Sequence, residues 1–173
     1  MYKRQVEDKL APFELQIHKQ NQKGTVLSGA EFTLYSDAEC LKEVTSGTSD
    51  DTGVISFDGI QTDKTYYLKE TQAPNGYRLP YTVTGQPIIY EIRVHSEPVN
   101  NEFTFYVNGT GYTTDSEGMF TVTGTKEHRV ANMTIINTTG MRLPKTGSSI
   151  TLLLILAALM IGVTVIFRKK DYK

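Results

Sequence analysis

An all-β sandwich followed by one hydrophobic helix is the fold class this sequence predicts. Three observations carry it. Short runs of alternating apolar and polar residues recur from Phe13 to Asn137, separated by clusters of Gly, Asn and Asp. Ten Tyr, many Thr and Val and no Trp make a composition that suits strands better than helices. No stretch before residue 150 keeps a helical period, whereas Ile150 to Phe167 is an almost unbroken apolar run.

The elements follow in order. Phe13, Leu15 and Ile17 alternate with Glu14, Gln16 and His18, which predicts a half-buried strand, and Lys19 continues its inward phase. Gln20 to Gly24 is polar and turn-like. Gly29 to Tyr35 is a second strand, with Phe32 and Leu34 on one face, and Leu41 to Val44 is a short edge strand. The side chains of Asp50 and Asp51 and the freedom of Gly53 make a turn into a strand at Val54–Phe57. Tyr66, Leu68 and Glu70 share one face of the next strand, which Ala73-Pro74-Asn75-Gly76-Tyr77 stops. A strand over Ile88–Val94 starts just after Pro87. Phe103–Val107, an Asn108-Gly109 turn and Tyr112–Thr114 predict a hairpin. The turn Asp115–Gly118 leads into Met119–Val122, and the last strand runs from Arg129 to Asn137 with Met133, Ile135 and Asn137 in one phase.

The C-terminal end has three parts. Leu143-Pro144-Lys145-Thr146-Gly147 comes first, held extended by the proline. The apolar run Ile150–Phe167 is long enough to cross a thin bilayer as a helix. The basic cluster from Arg168 to Lys173 is the charge that stays on the cytoplasmic side. This order places everything upstream outside the cell. It resembles the cell-wall sorting signal of Gram-positive surface proteins. The resemblance implies that a sortase cleaves between Thr146 and Gly147, holds the Thr carbonyl as a thioester, and passes it to an amine. The acceptor is a peptidoglycan cross-bridge or a lysine of another pilin subunit. Residues 147–173 would be discarded, the membrane would hold only the precursor, and the product would reside in the cell wall.

Met1-Tyr2-Lys3-Arg4-Gln5 resembles a translated transposon end and is set aside as a scar, with the natural chain expected to continue upstream. The expected organisation is a scar and linker over 1–11, a sandwich over 12–139, a linker with the LPKTG motif over 140–149, a transmembrane helix over 150–167 and a basic tail over 168–173. The formal charge is −1, and the basic tail leaves the remainder about −4. No basic face for nucleic acid follows from that balance. His18, His95 and His128 are scattered, and no catalytic or metal-ligand spacing appears, so neither an enzyme, a metal nor a cofactor is expected. Cys40 stands alone, which rules out an intrachain disulfide. A secreted strand-rich domain without disulfides calls for some other staple.

Three polar residues occupy inward phases: Lys19, Glu70 and Asn137. Burial disfavours charge, lowering a lysine pKa and raising a glutamate pKa. A neutral Lys19 amine is a nucleophile and the Asn137 carboxamide its electrophile. A protonated Glu70 would hydrogen-bond the carboxamide oxygen, then shuttle protons to the departing ammonia. The product is an isopeptide bond, formed once, joining the first strand to the last.

The residues around this trio resemble a Cna B-type, prealbumin-like (Ig-like) domain of Gram-positive pilins and adhesins. Lys19, then Leu27-Ser28-Gly29-Ala30-Glu31-Phe32 and Leu34-Tyr35, resemble its first two strands. Tyr66-x-Leu68-x-Glu70-Thr71-x-Ala73-Pro74-x-Gly76-Tyr77 resembles its E-box. The resemblance implies that Glu70 promotes a Lys19–Asn137 isopeptide bond. An extra hairpin over about 96–128 departs from the compact pattern and leaves Asn132, in the opposite phase, as the alternative acceptor. Two function classes remain: a wall-anchored stalk or pilin domain, and an adhesin module for a host ligand, which calls for a concave aromatic or charged patch on 96–128.

Overall fold

The computed structural model describes residues 13–97, 102–125 and 128–139. The N-terminal residues 1–12, the motif Leu143–Gly147, the apolar run 150–167 and the basic tail 168–173 lie outside the described residues. No helix among those described is long and apolar enough to cross a membrane.

The strands are β1 (Phe13–Asn21), β2 (Glu31–Tyr35), β3 (Glu43–Thr48), β4 (Val54–Ile60), β5 (Thr65–Gln72), β6 (Ile89–Glu97), β7 (Glu102–Val107), β8 (Thr110–Tyr112), β9 (Phe120–Gly124) and β10 (Arg129–Asn137). They form a four-stranded sheet ordered β4-β1-β10-β9 and a six-stranded sheet ordered β3-β2-β5-β6-β7-β8. The alternation read from sequence sets which faces meet. Phe13, Leu15 and Ile17 of β1 and Ala131, Met133 and Ile135 of β10 are buried, and their facing partners include Phe32, Leu34, Leu68, Ile92, Val94 and Phe105. The extra hairpin is not an appendage: β7 pairs with β6 and β8 with β7, and Phe103, Phe105 and Val107 bury their side chains in the common core.

One feature lay beyond a strand-by-strand reading. β1 and β10, the first and last strands, are neighbours and run parallel, pairing from Glu14↔Val130 through Asn21↔Asn137. Parallel neighbours need a long connection, and here everything between them supplies it. Several boundaries also shift, with β4 running on to Ile60 and β6 to Glu97, and two of the shifts have a local cause. The edge strand expected at 41–44 lies at Glu43–Thr48 instead. The Asp37 carboxylate accepts hydrogen bonds from the Leu41 and Lys42 backbone N–H groups, tying those residues into a turn and leaving Leu41 81% exposed. The return strand of the hairpin begins at Thr110 rather than Tyr112, because Asn108, at φ 49°, and Gly109, at φ 80°, make the tight two-residue turn by themselves.

The turn before β4 reaches the inner end of β1. Gly53 O accepts from Lys19 N at 2.7 Å, and Leu27 N donates to Lys19 O at 2.9 Å, so both backbone groups of Lys19 are engaged. Gly53 has φ +76°, and a Cβ there would sit 2.7 Å from Lys19 O. Gly59 has a similar φ of +70° with nothing near its would-be Cβ. Gly59→Ala should therefore cost about 1 kcal/mol of backbone strain, whereas Gly53→Ala adds a backbone clash and should cost about 2–3 kcal/mol. Urea unfolding of both variants checks the order; equal losses would remove the close approach as a constraint.

Candidate functional site

Alternation along three strands brings three polar side chains into the core. On β1, Lys19 follows Phe13, Leu15 and Ile17 inward; on β10, Asn137 follows Met133 and Ile135; on β5 of the facing sheet, Glu70 follows Tyr66 and Leu68. Lys19 and Asn137 are each 1% exposed and Glu70 4%. The parallel register sets Lys19 opposite Ile135 and Asn21 opposite Asn137, so Lys19 and Asn137 are diagonal neighbours on one face.

Lys19 Nζ donates to Asn137 Oδ1 at 2.6 Å and to the Ile135 backbone carbonyl at 2.9 Å. Asn137 Nδ2 donates to Glu70 Oε1 at 2.6 Å. Lys19 Nζ lies 3.8 Å from Glu70 Oε2, which has no hydrogen-bond partner among the described residues. The amine, the amide and the carboxyl thus form a closed group. Burial pushes the Lys19 ammonium down to about 8, against the attraction of Glu70. Burial also raises the Glu70 carboxyl, against Lys19 and the Asn137 hydrogen bond. Both shifts favour the uncharged forms, as expected where water is excluded.

One detail differs from the sequence expectation. Glu70 was expected to reach the carboxamide oxygen; here its carboxyl meets the carboxamide nitrogen, and the oxygen faces the amine. The reason is topological: Asn137 lies between Lys19 on its own sheet and Glu70 on the opposite one, so its two polar atoms divide between them.

Asn132 is not brought to this group. It stands in the opposite phase of β10, where its Oδ1 pairs with His18 Nε2 at 3.2 Å and its Nδ2 donates to Thr123 Oγ1 at 3.0 Å. His95 pairs with Asp63 and His128 with Glu14, so the three histidines lie apart on separate partners. Cys40 is in the loop before β3, at φ 55°. Among the described residues no group of His, Cys, Asp or Glu is arranged to hold a metal ion.

Three contributors were not legible beforehand. The Ile135 carbonyl that orients the amine is a backbone group, found only through the parallel pairing. Tyr90 sits opposite Leu68 on β6, and its hydroxyl pKa is raised by burial and by the nearby Glu70. The end of the E-box-like stretch folds across the last strand: Tyr77 bridges Thr139, Arg78 N donates to Thr138 O at 3.2 Å, and Asn21 Nδ2 donates to the Tyr77 hydroxyl at 3.2 Å. Tyr77 lies five residues past the end of β5 at Gln72, and no alternation there announces such a clasp.

The shifted lysine makes stability depend on pH. Unfolded Lys19 titrates near 10.5 and folded Lys19 near 8. Between those values the unfolded chain holds a proton that the folded chain has shed, so this group's contribution to stability rises as pH rises through the window. An Asn137→Ala chain, which cannot cross-link, should show this rise in its urea midpoint between pH 8 and 10. The Lys19→Met/Asn137→Ala chain should lack it; parallel pH curves for the two would contradict the shift.

Comparison with known proteins adds to this geometry. Residues 13–96 match the model of the SpaA prealbumin-like fold domain. No curated protein matches the chain. Among solved structures, the C-terminal fragment of the pilus adhesin SpaC from Lactobacillus rhamnosus GG is similar with a TM-score of 0.51 and 23% identity, over 78% of this chain and 48% of that one. The open conformation of the same adhesin matches with a TM-score of 0.50 and 24% identity, over 78% of this chain and 15% of that one. The chain thus spans about half of the fragment and a small part of the intact adhesin. Likeness at this level of identity speaks for fold alone. The described residues form an all-β sandwich, and residues 13–96 of it match a prealbumin-like fold domain.

Proposed function

We propose that this chain is a structural domain of the Gram-positive cell surface, a pilin or adhesin stalk, held shut by a Lys19–Asn137 isopeptide bond and attached to the cell wall through Thr146. The observation that carries the reading is the buried contact of Lys19, Glu70 and Asn137, with the amine, the carboxamide and the carboxyl all within hydrogen-bonding or ion-pair reach.

The chemistry balances within these three side chains. The neutral Lys19 amine, held by the Ile135 carbonyl, attacks Asn137 Cγ and an N–C bond forms. Glu70 supplies a proton to Asn137 Nδ2, the C–N bond breaks, and ammonia leaves. Glu70 regains its proton from Lys19 Nζ, so it is unchanged overall. Positioning provides most of the acceleration, since folding puts amine and amide in contact without an encounter step. The carboxyl's place at the nitrogen suits leaving-group protonation. No cofactor takes part.

The C-terminal half of the proposal rests on Leu143-Pro144-Lys145-Thr146-Gly147, the apolar run and the basic tail. A sortase cleaves between Thr146 and Gly147 and transfers Thr146 to a peptidoglycan cross-bridge or to a pilin-subunit lysine, leaving the domain on the outer surface. The alternative, an adhesin module for a host ligand, draws on a cavity of about 320 Å³ lined by Glu102, Thr104, Thr113 and Asp115 at the edge of the extra hairpin. The hairpin spends Phe103, Phe105 and Val107 on the core, which favours the stalk reading.

Intact-mass spectrometry tests the bond. The purified chain should be lighter than its sequence by one ammonia, and Glu70→Ala should restore the full mass while Asn132→Ala leaves the loss in place. A full-mass wild type would remove the staple. In a Gram-positive host, Thr146→Ala should move the protein from the wall fraction to the membrane or medium; unchanged wall attachment would remove the sortase step.

A further inference from the structure

We propose that Asn75 is a self-modifying site: the Asn75-Gly76 pair closes to a succinimide and opens with water to aspartate or isoaspartate, loosening the grip of Tyr77 and Arg78 on the end of β10. The inference goes beyond the isopeptide reading and does not depend on it.

The sequence holds two Asn-Gly pairs, Asn75-Gly76 and Asn108-Gly109. A glycine has no Cβ to keep its own backbone nitrogen from the preceding asparagine side chain. At Asn75 the Gly76 nitrogen attacks Cγ and a five-membered ring forms. The proton of Gly76 N passes to Asn75 Nδ2, the Cγ–Nδ2 bond breaks, and ammonia leaves. Water then opens the ring. Attack at Cγ gives aspartate, and attack at the Asn75 backbone carbonyl carbon gives isoaspartate, whose main chain runs through Cβ and Cγ. The net exchange is one water in and one ammonia out, with nothing oxidised or reduced.

The structure separates the two pairs. Asn108 stands at φ 49°, its backbone N donates to Glu91 O at 2.8 Å, and its side-chain Oδ1 accepts from Glu91 N at 2.9 Å. Its Cγ reaches Gly109 N only by breaking that side-chain bond, and β7 and β8 pair directly beside the turn. Asn75 is exposed, and its side chain makes no hydrogen bond among the described residues. Open space surrounds the would-be Cβ of both glycines, so pinning of the asparagine rather than crowding tells the pairs apart.

The turn at Asn75 also carries the clasp. Tyr77 N donates to Pro74 O at 3.0 Å across Asn75 and Gly76, and Gly76 at φ +86° supplies the left-handed position of a type II turn. Directly after it Tyr77 bridges Thr139, Arg78 N donates to Thr138 O at 3.2 Å, and the Tyr77 hydroxyl accepts from Asn21 Nδ2. Isoaspartate lengthens the main chain by one carbon inside this four-residue turn. The Tyr77–Pro74 bond then loses its register, and the backbone contacts that hold Thr138 and Thr139 loosen with it.

Ageing the purified full chain in mildly alkaline buffer tests both parts. Trypsin frees residues 70–78 as one peptide, apart from those that carry Lys19 and Asn137, so the change is told from the Lys19–Asn137 bond by its place. A digest at time zero sets the blank, and synthetic peptides of residues 70–78 and 104–112 give the unfolded rates. In the folded chain Asn75 should convert within a few-fold of its peptide, and Asn108 at least tenfold slower than its own. Asn108 converting at its peptide rate, or Asn75 slowed tenfold, would overturn the site. In the isoaspartate fraction the Arg78 amide should exchange with deuterium at least tenfold faster than in fresh protein. An unchanged rate would overturn the loosening, as would the same acceleration in an Asn75→Gln chain aged alongside.

Discussion

A lysine, a glutamate and an asparagine packed together in a buried core are the constraint on which the rest of this structure depends. Left as a noncovalent group they would be a poor choice. Taking two ionisable groups out of water costs several kcal/mol each, and a buried ion pair seldom does better than hydrophobic residues of the same volume. The raised carboxyl and lowered ammonium express that cost directly. In the proposed isopeptide reading, conversion of the amine to an amide would remove the lysine charge permanently and leave the carboxyl, whose pKa burial raises, beside a neutral amide. The core would then be arranged around a state that becomes favourable only after that reaction.

Topology would give the proposed bond a mechanical meaning. Because β1 and β10 are parallel neighbours, the chain enters the sheet at one end and leaves it at the other. Tension between the two ends loads their shared ladder in shear, with the backbone hydrogen bonds strained together. A link from Lys19 to Asn137 sits at the exit end of that ladder. Load would run along β1 from Phe13 to Lys19, cross to Asn137 and continue toward Thr146. Everything from residue 20 to residue 136 would lie off the path. Such a link would also close a loop spanning 118 positions, worth about 4–5 kcal/mol against the unfolded chain by analogy with disulfides. The clasp of Tyr77 and Arg78 over Thr138 and Thr139 holds the last described residues to the sheet, close to where the load leaves it.

Much of this was legible in the sequence because strands alternate with a period of two. Counting phase from Leu15 and Ile17 places Lys19 inward; counting from Leu68 places Glu70 inward; counting from Met133 and Ile135 places Asn137 inward. The same count turns Asn132 outward, and there it is found, bonded to His18 and Thr123. What phase cannot supply is partnership between strands distant in sequence. The parallel pairing of β1 with β10 and the Ile135 carbonyl beside the amine come from topology. Hydrophobicity misplaced the edge strand, since Leu41 is apolar yet is held out in a turn by Asp37. The orientation of the Asn137 carboxamide depends on which sheet offers the donor and which the acceptor, and no local pattern encodes that.

Pulling one molecule by the two ends of the domain tests the central claim most directly. If Lys19 and Asn137 are joined, extension stops at the few residues outside the closed loop, and no large release of chain appears at any force below covalent rupture. If they are merely hydrogen-bonded, the sandwich opens and releases a length of roughly 400 Å, at about 3.3–3.6 Å per residue. A step of that size in the wild-type protein contradicts the account.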